Sequence, residues 1–368
     1  MSSIIWLTDN YPPEKGGLAV SCQRIVQNLR KQGVRIHVVH FTNEHPPFEI
    51  IEEEGGTYMA CEITEDEPHT LNLGWITLKN RIEKESFSHL VAFGGRLPML
   101  AGPVYADWLD VPLITMVRGL EFDQSVFSPS LRMTLRHAFR RSITICAVSK
   151  EKVYKIDKMY KGVTVNYTPN GINLSEWQLT AEEKAFGERF REKNEGKRVI
   201  GIFGELRARK GIPFFLKALS ESPYCREVKL LLVGDLPEVY EQRLGKYRMD
   251  YETHEFVPQE SLKAYYAACD VIAIPSFYDG MPNILLEAGA LGIPVMGSKV
   301  DGIEDIVEDG RSGYLFCPAS LQDCQKAIQT LMEDTSEGVQ EKGRVLQEKI
   351  AAEYNDEKET ECYLNIFG

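Results

Sequence analysis

The sequence predicts an α/β protein made of two doubly wound domains with a cleft between them. Three observations lead there. Short apolar runs alternate with amphipathic stretches along the chain, the pattern occurs twice, and a polar turn-rich segment divides the two sets. Continuous Val/Ile/Leu runs separated by helical patterns mark parallel strands buried on both faces. A length of 368 residues suits two domains, or three, rather than one.

The first set of strand-like runs is "IIWLT" (4–8), "RIHVVHF" (35–41), "HLVAF" (89–93), "PLITMV" (112–117) and "ITICAV" (143–148). The second is "RVIGIF" (198–203), "VKLLLVG" (228–234), "DVIAIP" (270–275) and "IPVMGS" (293–298). Amphipathic stretches at 17–32, 211–220, 259–268 and 320–332 read as helices. "YTPNGINLSEW" (167–177), with its Pro and Asn-Gly turn, is the break. "YLNIFG" closes a helix expected from about 355.

Composition excludes several classes. No apolar run reaches the ~18 residues a membrane span needs. The N-terminal "MSSIIWLTDNYPPEKGG" lacks a basic start and a cleavage site, so it reads as a first strand rather than a signal peptide. Eight cysteines without a CxxC pair argue against zinc and a disulfide framework, and for a reducing cytoplasm. Seven histidines form no HxxxH or HExxH cluster, so no metal site is expected. The net charge of −12 argues against a nucleic-acid partner. That charge is uneven. Residues 1–170 balance at 19 basic and 19 acidic groups, 44–67 hold nine acids and no Lys or Arg, and 131–161 hold nine basic groups against two acids.

Three motifs sit where ligands bind in such folds, beyond the carboxyl ends of strands. "YDGMPNILLEAGALGIPV" (278–295) sets Asp279 in a loop before a helix and Glu287 inside it. Pro282 fits the first helical turn, where its missing N–H costs nothing. Glu287 then lies roughly 7 Å along a helix rising about 1.5 Å per residue. The N–H groups of Gly280, Met281 and Asn283 lie between the two acids, at the positive end of the dipole. That is a place for an anion or a hydroxyl-rich ligand. "GIFGELRARKGIPFF" (201–215) turns on Gly204 and presents Arg207, Arg209 and Lys210 before a helix. Those cations suit a diphosphate; a solvated basic turn is the competing reading. "PEKGGLAVS" (13–21) places Gly16 and Gly17 after the first strand but is not GxGxxG. A plain tight turn stays open there.

The segment "PSFYDGMPNILLEAGALGIPVMGSKVDGIEDIVEDGRSGYLF" (275–316) resembles the donor-site segment of the retaining glycosyltransferases of family 4, which have the GT-B fold of two Rossmann-like domains facing across a cleft. The shared pattern is an acid, seven residues, a Glu, "GxPV", a Gly-acid region and "GxxGxL". Weaker matches are the Gly-Gly turn at 16–17, "AVS" at 147–149, "PNGIN" at 169–173, "KG" at 210–211 and "VGD" at 233–235. The likeness spans nearly the whole chain.

The resemblance implies transfer of a sugar from a nucleotide-sugar, a UDP- or GDP-sugar, to an acceptor hydroxyl with retained anomeric configuration. The setting is glycan, glycolipid or glycosylated-metabolite biosynthesis, with no metal or other cofactor. It places Glu287 on the nucleotide ribose hydroxyls, and Asp279 with Gly280, Met281, Pro282 and Asn283 around the transferred sugar. It places Arg207 and Lys210, beside Gly204, on the leaving diphosphate, where charge builds in the transition state. Gly16 and Gly17 let backbone approach phosphate or acceptor closely. Val257, in "EFVP" (255–258), lies by the base, which is contacted mainly by backbone. Residues 1–170 with the C-terminal helix 353–368 become the acceptor domain and 171–352 the donor domain.

The chain departs from the family at three points. Asp279 stands where Glu is usual. "GEL" replaces "GRL", and the lost cation is assigned to Arg207. Arg118, in "VRGLEFD", stands where the family has His. Arg is no base but clamps anions, so Arg118 is either a catalytic anion clamp or a partner of Glu121 or Asp123. The alternatives to transfer are another GT-B nucleotide-sugar enzyme such as an epimerase, a catalytically silent sugar-nucleotide-binding protein and, more distantly, a two-domain dehydrogenase.

The helix in "SPSLRMTLRHAFRRSITI" (128–145) is expected to be capped by Ser130, with Leu131, Leu135, Ala138 and Phe139 inward and Arg132, Arg136 and Arg140 on an adjacent face. Lys150 to Lys161 continue the charge. The uses weighed are a solvated face, an acidic acceptor, or weak peripheral contact with the inner face of a membrane through 131–161.

Overall fold

The computed structural model describes residues 3–43, 49–82, 86–255 and 257–368. The chain divides into two compact units, Met1–Asn170 with Glu357–Gly368, and Gly171–Asp356.

The first unit is built on eight strands. They are β1 Ser3–Thr8, β2 Arg35–Phe41, β3 Ile50–Glu53, β4 Gly56–Cys61, β5 His89–Phe93, β6 Leu113–Val117, β7 Ser142–Ala147 and β8 Val165–Tyr167. The sheet order is β3-β4-β2-β1-β5-β6-β7-β8, parallel except for the β3–β4 pair. Side chains alternate across a strand, and β1 shows why its sequence is apolar throughout. Ile4 and Trp6 enter the core on one face, Ile5 and Leu7 the core on the other. The C-terminal helix Asp356–Phe367 buries Tyr363 and Phe367 in the first of these cores.

The second unit has β9 Arg198–Phe203, β10 Val228–Val233, β11 Asp250–His254, β12 Val271–Ile274, β13 Val295–Ser298 and β14 Gly313–Phe316. All pair in parallel in the order β11-β10-β9-β12-β13-β14. Each sheet therefore reverses direction once, between β1 and β5 in the first unit and between β9 and β12 in the second. Such switch points open a crevice at the strands' carboxyl ends.

All nine strands expected from the apolar runs form, within two residues at either end. The four amphipathic stretches are the helices Gly17–Lys31, Ile212–Ser220, Gln259–Ala267 and Leu321–Glu333. Of the acidic stretch 44–67, residues 44–48 lie outside the described ones. Its hairpin β3–β4 carries Glu52, Glu53 and Glu54 exposed.

Candidate functional site

The switch point of the second unit gathers the residues singled out in the sequence. β9 ends at Phe203, and Gly204 follows with its N–H on the Val233 carbonyl at 2.8 Å. The chain crosses a short 3-10 turn, Ala208–Lys210, and Gly211 starts the helix Ile212–Ser220. Gly211 has φ 71°, and a Cβ there would sit 1.8 Å from the Pro275 carbonyl oxygen. Only glycine lets this turn press on the end of β12. That contact delivers Lys210 to Asp279, Nζ to Oδ2 2.5 Å, with the two side chains 25% and 14% exposed.

Asp279 is fixed from three sides. Lys210 and Ser276 Oγ, at 3.2 Å, donate to Oδ2, and its own following amide, Gly280 N, donates to Oδ1 at 2.9 Å. Met281 is buried and Pro282 holds the N-cap position of the helix Asn283–Ala290. The first-turn place expected for Pro282 is thus taken by Asn283, because Pro282 keeps an extended ψ of 128°. One turn on, Glu287 Oε2 accepts the Tyr266 hydroxyl at 2.6 Å. Tyr266 is fully buried, stacked on Phe203 at 4.2 Å and edge-on to Trp177 at 5.7 Å. Burial and the Glu287 carboxylate hold its hydroxyl far above the usual tyrosine range, so it stays a proton donor.

The other cations of the turn are already paired. Arg207 meets Asp235 at 2.5 Å, both largely exposed, and Arg209 meets Glu205 one turn back. Exposed pairs of this kind contribute ~0–1 kcal/mol, so an incoming anion displaces them at little cost. Val257 is half-buried in the loop after β11, two strands from β9 at the same edge of the sheet. Its neighbour Phe256 lies outside the described residues. Sequence reasoning missed Tyr266, and gave no role to Ser276 and Asp235 although both lie inside the motifs it singled out. Tyr266 lies 21 residues from Glu287 inside an unremarkable "AYYAA", and no local signal marks it.

The switch point of the first unit holds Gly16, the cap of Gly17–Lys31, and Gly17, both exposed. Beside them lies an acid the sequence did not flag. Asp9 Oδ2 accepts Arg96 N at 3.0 Å, and the backbone of Gly95 leaves no room for a Cβ, which would fall 1.8 Å from Asp9 Oδ1. Burial, reinforced by Glu121, pushes the Asp9 carboxyl up to about 6.

Arg118 requires a correction. Neither expected reading holds for its guanidinium, which is buried at 3% exposure. It donates to the Thr168 carbonyl at 2.6 Å, the Tyr363 hydroxyl at 2.7 Å and Asn170 Oδ1, and lies 3.6 Å from Glu359. Glu121 instead takes the backbone N–H groups of Arg118 and Gly119, and Asp123 pairs with Lys152 and Lys155. Arg118 is an anchor for the C-terminal helix, shared with Arg24, which forks onto Glu359 at 2.8 and 3.0 Å.

The helix Pro129–Arg141 also differs in detail. Pro129 takes its first turn and Ser128, not Ser130, the cap position, with no side-chain cap bond. Leu135, Ala138 and Phe139 are core, and Arg132, Arg136 and Arg140 are exposed as expected. The basic run beyond is partly spent. Lys152 is fully buried on Asp123 at 2.9 Å, and Lys155 pairs with Glu151 at 2.7 Å.

Comparison with known proteins gives two family models, one for each half. A model described as Glycosyltransferase Family 4 matches residues 15–176, and one described as Glycosyl transferases group 1 matches 197–334. A GDP-mannose-dependent alpha-(1-6)-phosphatidylinositol monomannoside mannosyltransferase of Mycolicibacterium smegmatis is 25% identical over 354 residues, covering 90% of this chain and 89% of its own. Among solved structures, sucrose-phosphate synthase from Thermosynechococcus elongatus superposes with a TM-score of 0.85 at 18% identity, covering 100% of this chain and 98% of that one. HepE from Anabaena, solved with UDP and glucose, reaches 0.80 at 17% identity, covering 100% and 99%. These structures have the GT-B fold.

Proposed function

This chain belongs to the family 4 glycosyltransferases, and on that premise we propose that it moves a sugar from a UDP- or GDP-sugar to an acceptor hydroxyl with retention of configuration. It is a glycosyltransferase whose relatives act in glycan, glycolipid and inositol-derived biosynthesis. The observation that carries the donor assignment is the Lys210–Asp279 pair at the second switch point, in the loop before the helix that carries a Glu287 held by Tyr266. The donor of the mycobacterial relative and the UDP bound to HepE support the same reading.

The chemistry follows from the donor set. A carboxylate accepts only, so Glu287 suits the paired hydroxyls of a ribose. Asp279 offers acceptor oxygens to the hydroxyls of a sugar at the start of the helix Asn283–Ala290. A diphosphate competes with Asp279 and Asp235 for Lys210 and Arg207, and their charge counts most as the leaving group gains its own. In this reading these side chains supply the positive charge, and no metal or other cofactor takes part. Eight free cysteines fit a reducing cytoplasm.

Calorimetric titration of UDP and GDP into wild type and Glu287→Ala tests the donor site. One nucleotide is expected to bind wild type, and the variant to bind it at least tenfold more weakly, since a hydrogen bond to a charged group is worth about 1.5–3 kcal/mol. Equal affinities would remove Glu287 from the ribose.

The reading extends to an anionic membrane surface as the place of work. Among the described residues no helix is long and apolar enough to cross a membrane. The helix Pro129–Arg141 sets exposed Arg132, Arg136 and Arg140 beside Phe127, 89% exposed, and Met133, 73% exposed. Charge with large apolar side chains at one surface is what interfacial binding uses, and each basic residue adds about 1 kcal/mol near an anionic leaflet. Wild type is expected to cosediment with phosphatidylserine-containing vesicles at low salt and to be released at high salt. Arg132/Arg136/Arg140→Glu is expected to stay in the supernatant. Binding of the triple variant as strong as wild type would leave the helix an ordinary solvated face.

A further inference from the structure

Tyr266 and Glu287 belong to different helices, Gln259–Ala267 and Asn283–Ala290, and meet through a hydrogen bond from the hydroxyl to Oε2 at 2.6 Å. An ionised carboxylate only accepts, so the hydroxyl donates. A phenylalanine would fill the same space. The ring lies parallel to Phe203, 4° and 4.2 Å between centroids, and edge-on to Trp177. Packing therefore accounts for the ring and leaves the hydroxyl unexplained. Stability does not account for it either, because replacing both partners of a buried hydrogen bond by apolar groups of the same shape is close to neutral.

The effect of the hydroxyl falls on Glu287. A glutamate is long and rotamer-rich, and ordering such a side chain on a ligand costs conformational entropy. Here one oxygen is fixed beforehand. Tyr266 is fully buried, and the buried Phe203 and Trp177 hold its ring on two sides. Phe203 is the last residue of β9, directly before Gly204, so the same stack ties Glu287 to the turn that presents Lys210. Glu287 itself is half-buried. A mobile, exposed carboxylate turns to water when its ligand lacks a hydroxyl. A fixed, partly buried one is left short of a donor, and a site built that way rejects the analogue that lacks the hydroxyl.

We propose that Tyr266 is a positioning residue that makes the second switch point selective for ribonucleotide donors over 2′-deoxyribonucleotide ones. The proposal rests on the transferase reading given above, in which Glu287 takes the ribose hydroxyls. It adds the class of donor that the site turns away, the sugars carried on deoxynucleoside diphosphates.

Calorimetric titration of UDP, GDP and their 2′-deoxy counterparts into wild type and Tyr266→Phe tests it, with a thermal melt of each protein. Wild type is expected to bind a ribonucleotide at least tenfold more tightly than its deoxy counterpart. In Tyr266→Phe that ratio is expected to fall below about threefold, the ribonucleotide losing more affinity than the deoxynucleotide. A tyrosine that only supports the fold would weaken both alike and keep the ratio. Equal binding of the two by wild type overturns the proposal, whatever the variant does, and leaves the transferase reading standing. A wild-type ratio in the folded variant also overturns it. Failure of wild type to bind either ribonucleotide overturns the transferase reading and this proposal with it.

Discussion

Lys210→Ala is expected to lower turnover about 10²- to 10³-fold, the cost typical of removing one donor aimed at developing charge. The reason lies in the geometry. Gly211 lets the turn after β9 lie against Pro275, which sets Lys210 Nζ 2.5 Å from Asp279. Without the lysine, the leaving diphosphate loses a cation when its charge is greatest, and Asp279 keeps an uncompensated charge beside it. Interactions that strengthen in the transition state govern turnover more than affinity. Donor affinity is therefore expected to fall less than turnover, and Lys210→Arg to recover part of the rate. Initial rates of nucleotide release, set beside calorimetric affinities, measure both. Unaltered turnover in Lys210→Ala would remove this side chain from the reaction.

Arg118→Met is expected to destabilise the chain by about 3–5 kcal/mol, the range for breaking a buried ion pair by removing one partner. Arg118 is 3% exposed and Glu359 is equally buried at 3%. Its loss strands Glu359 with Arg24 alone, and leaves the Thr168 carbonyl, Asn170 Oδ1 and the Tyr363 hydroxyl short of a donor. Urea unfolding measures the effect. Arg118→Met with Glu359→Gln is expected to lose less than the two single variants summed, because the pair is coupled. A wild-type midpoint in Arg118→Met would show that the Arg24–Glu359 fork and the packing of Tyr363 and Phe367 hold the C-terminal helix without Arg118.

The difference between these two residues shows what a sequence can carry. That Lys210, Asp279 and Glu287 sit at strand-to-helix turns is legible because the signal is local: a Gly turn, an acid before a helix, an apolar helical repeat. Arg118 was misread because its partners lie 50, 52 and 245 residues away. Only the closed first unit brings Tyr363 to it. Tyr266 stayed invisible for the same reason.

The strands divide along similar lines. β1, β9 and β10 are buried on both faces and read as unbroken apolar runs. β3, β4, β8, β11 and β14 escaped. β3 "IIEE" and β11 "DYETH" are edge strands with exposed or half-buried positions, so neither periodicity nor composition marks them. β8 has three half-buried residues. β14 "GYLF" is buried but only four residues long, and its turn-rich flank reads as loop. β4 "GTYMAC" is apolar enough to be found; its acidic surroundings hid it.

The central claim is that the second switch point holds a nucleotide-sugar and releases its sugar with retention. Proton NMR of the sugar freed from UDP- or GDP-sugars by water, recorded before mutarotation and with EDTA present, tests it most directly. The account predicts nucleotide release with the first-formed sugar in the anomeric configuration of its donor. A first-formed sugar of inverted configuration, or release abolished by EDTA and restored by a divalent metal, would contradict it.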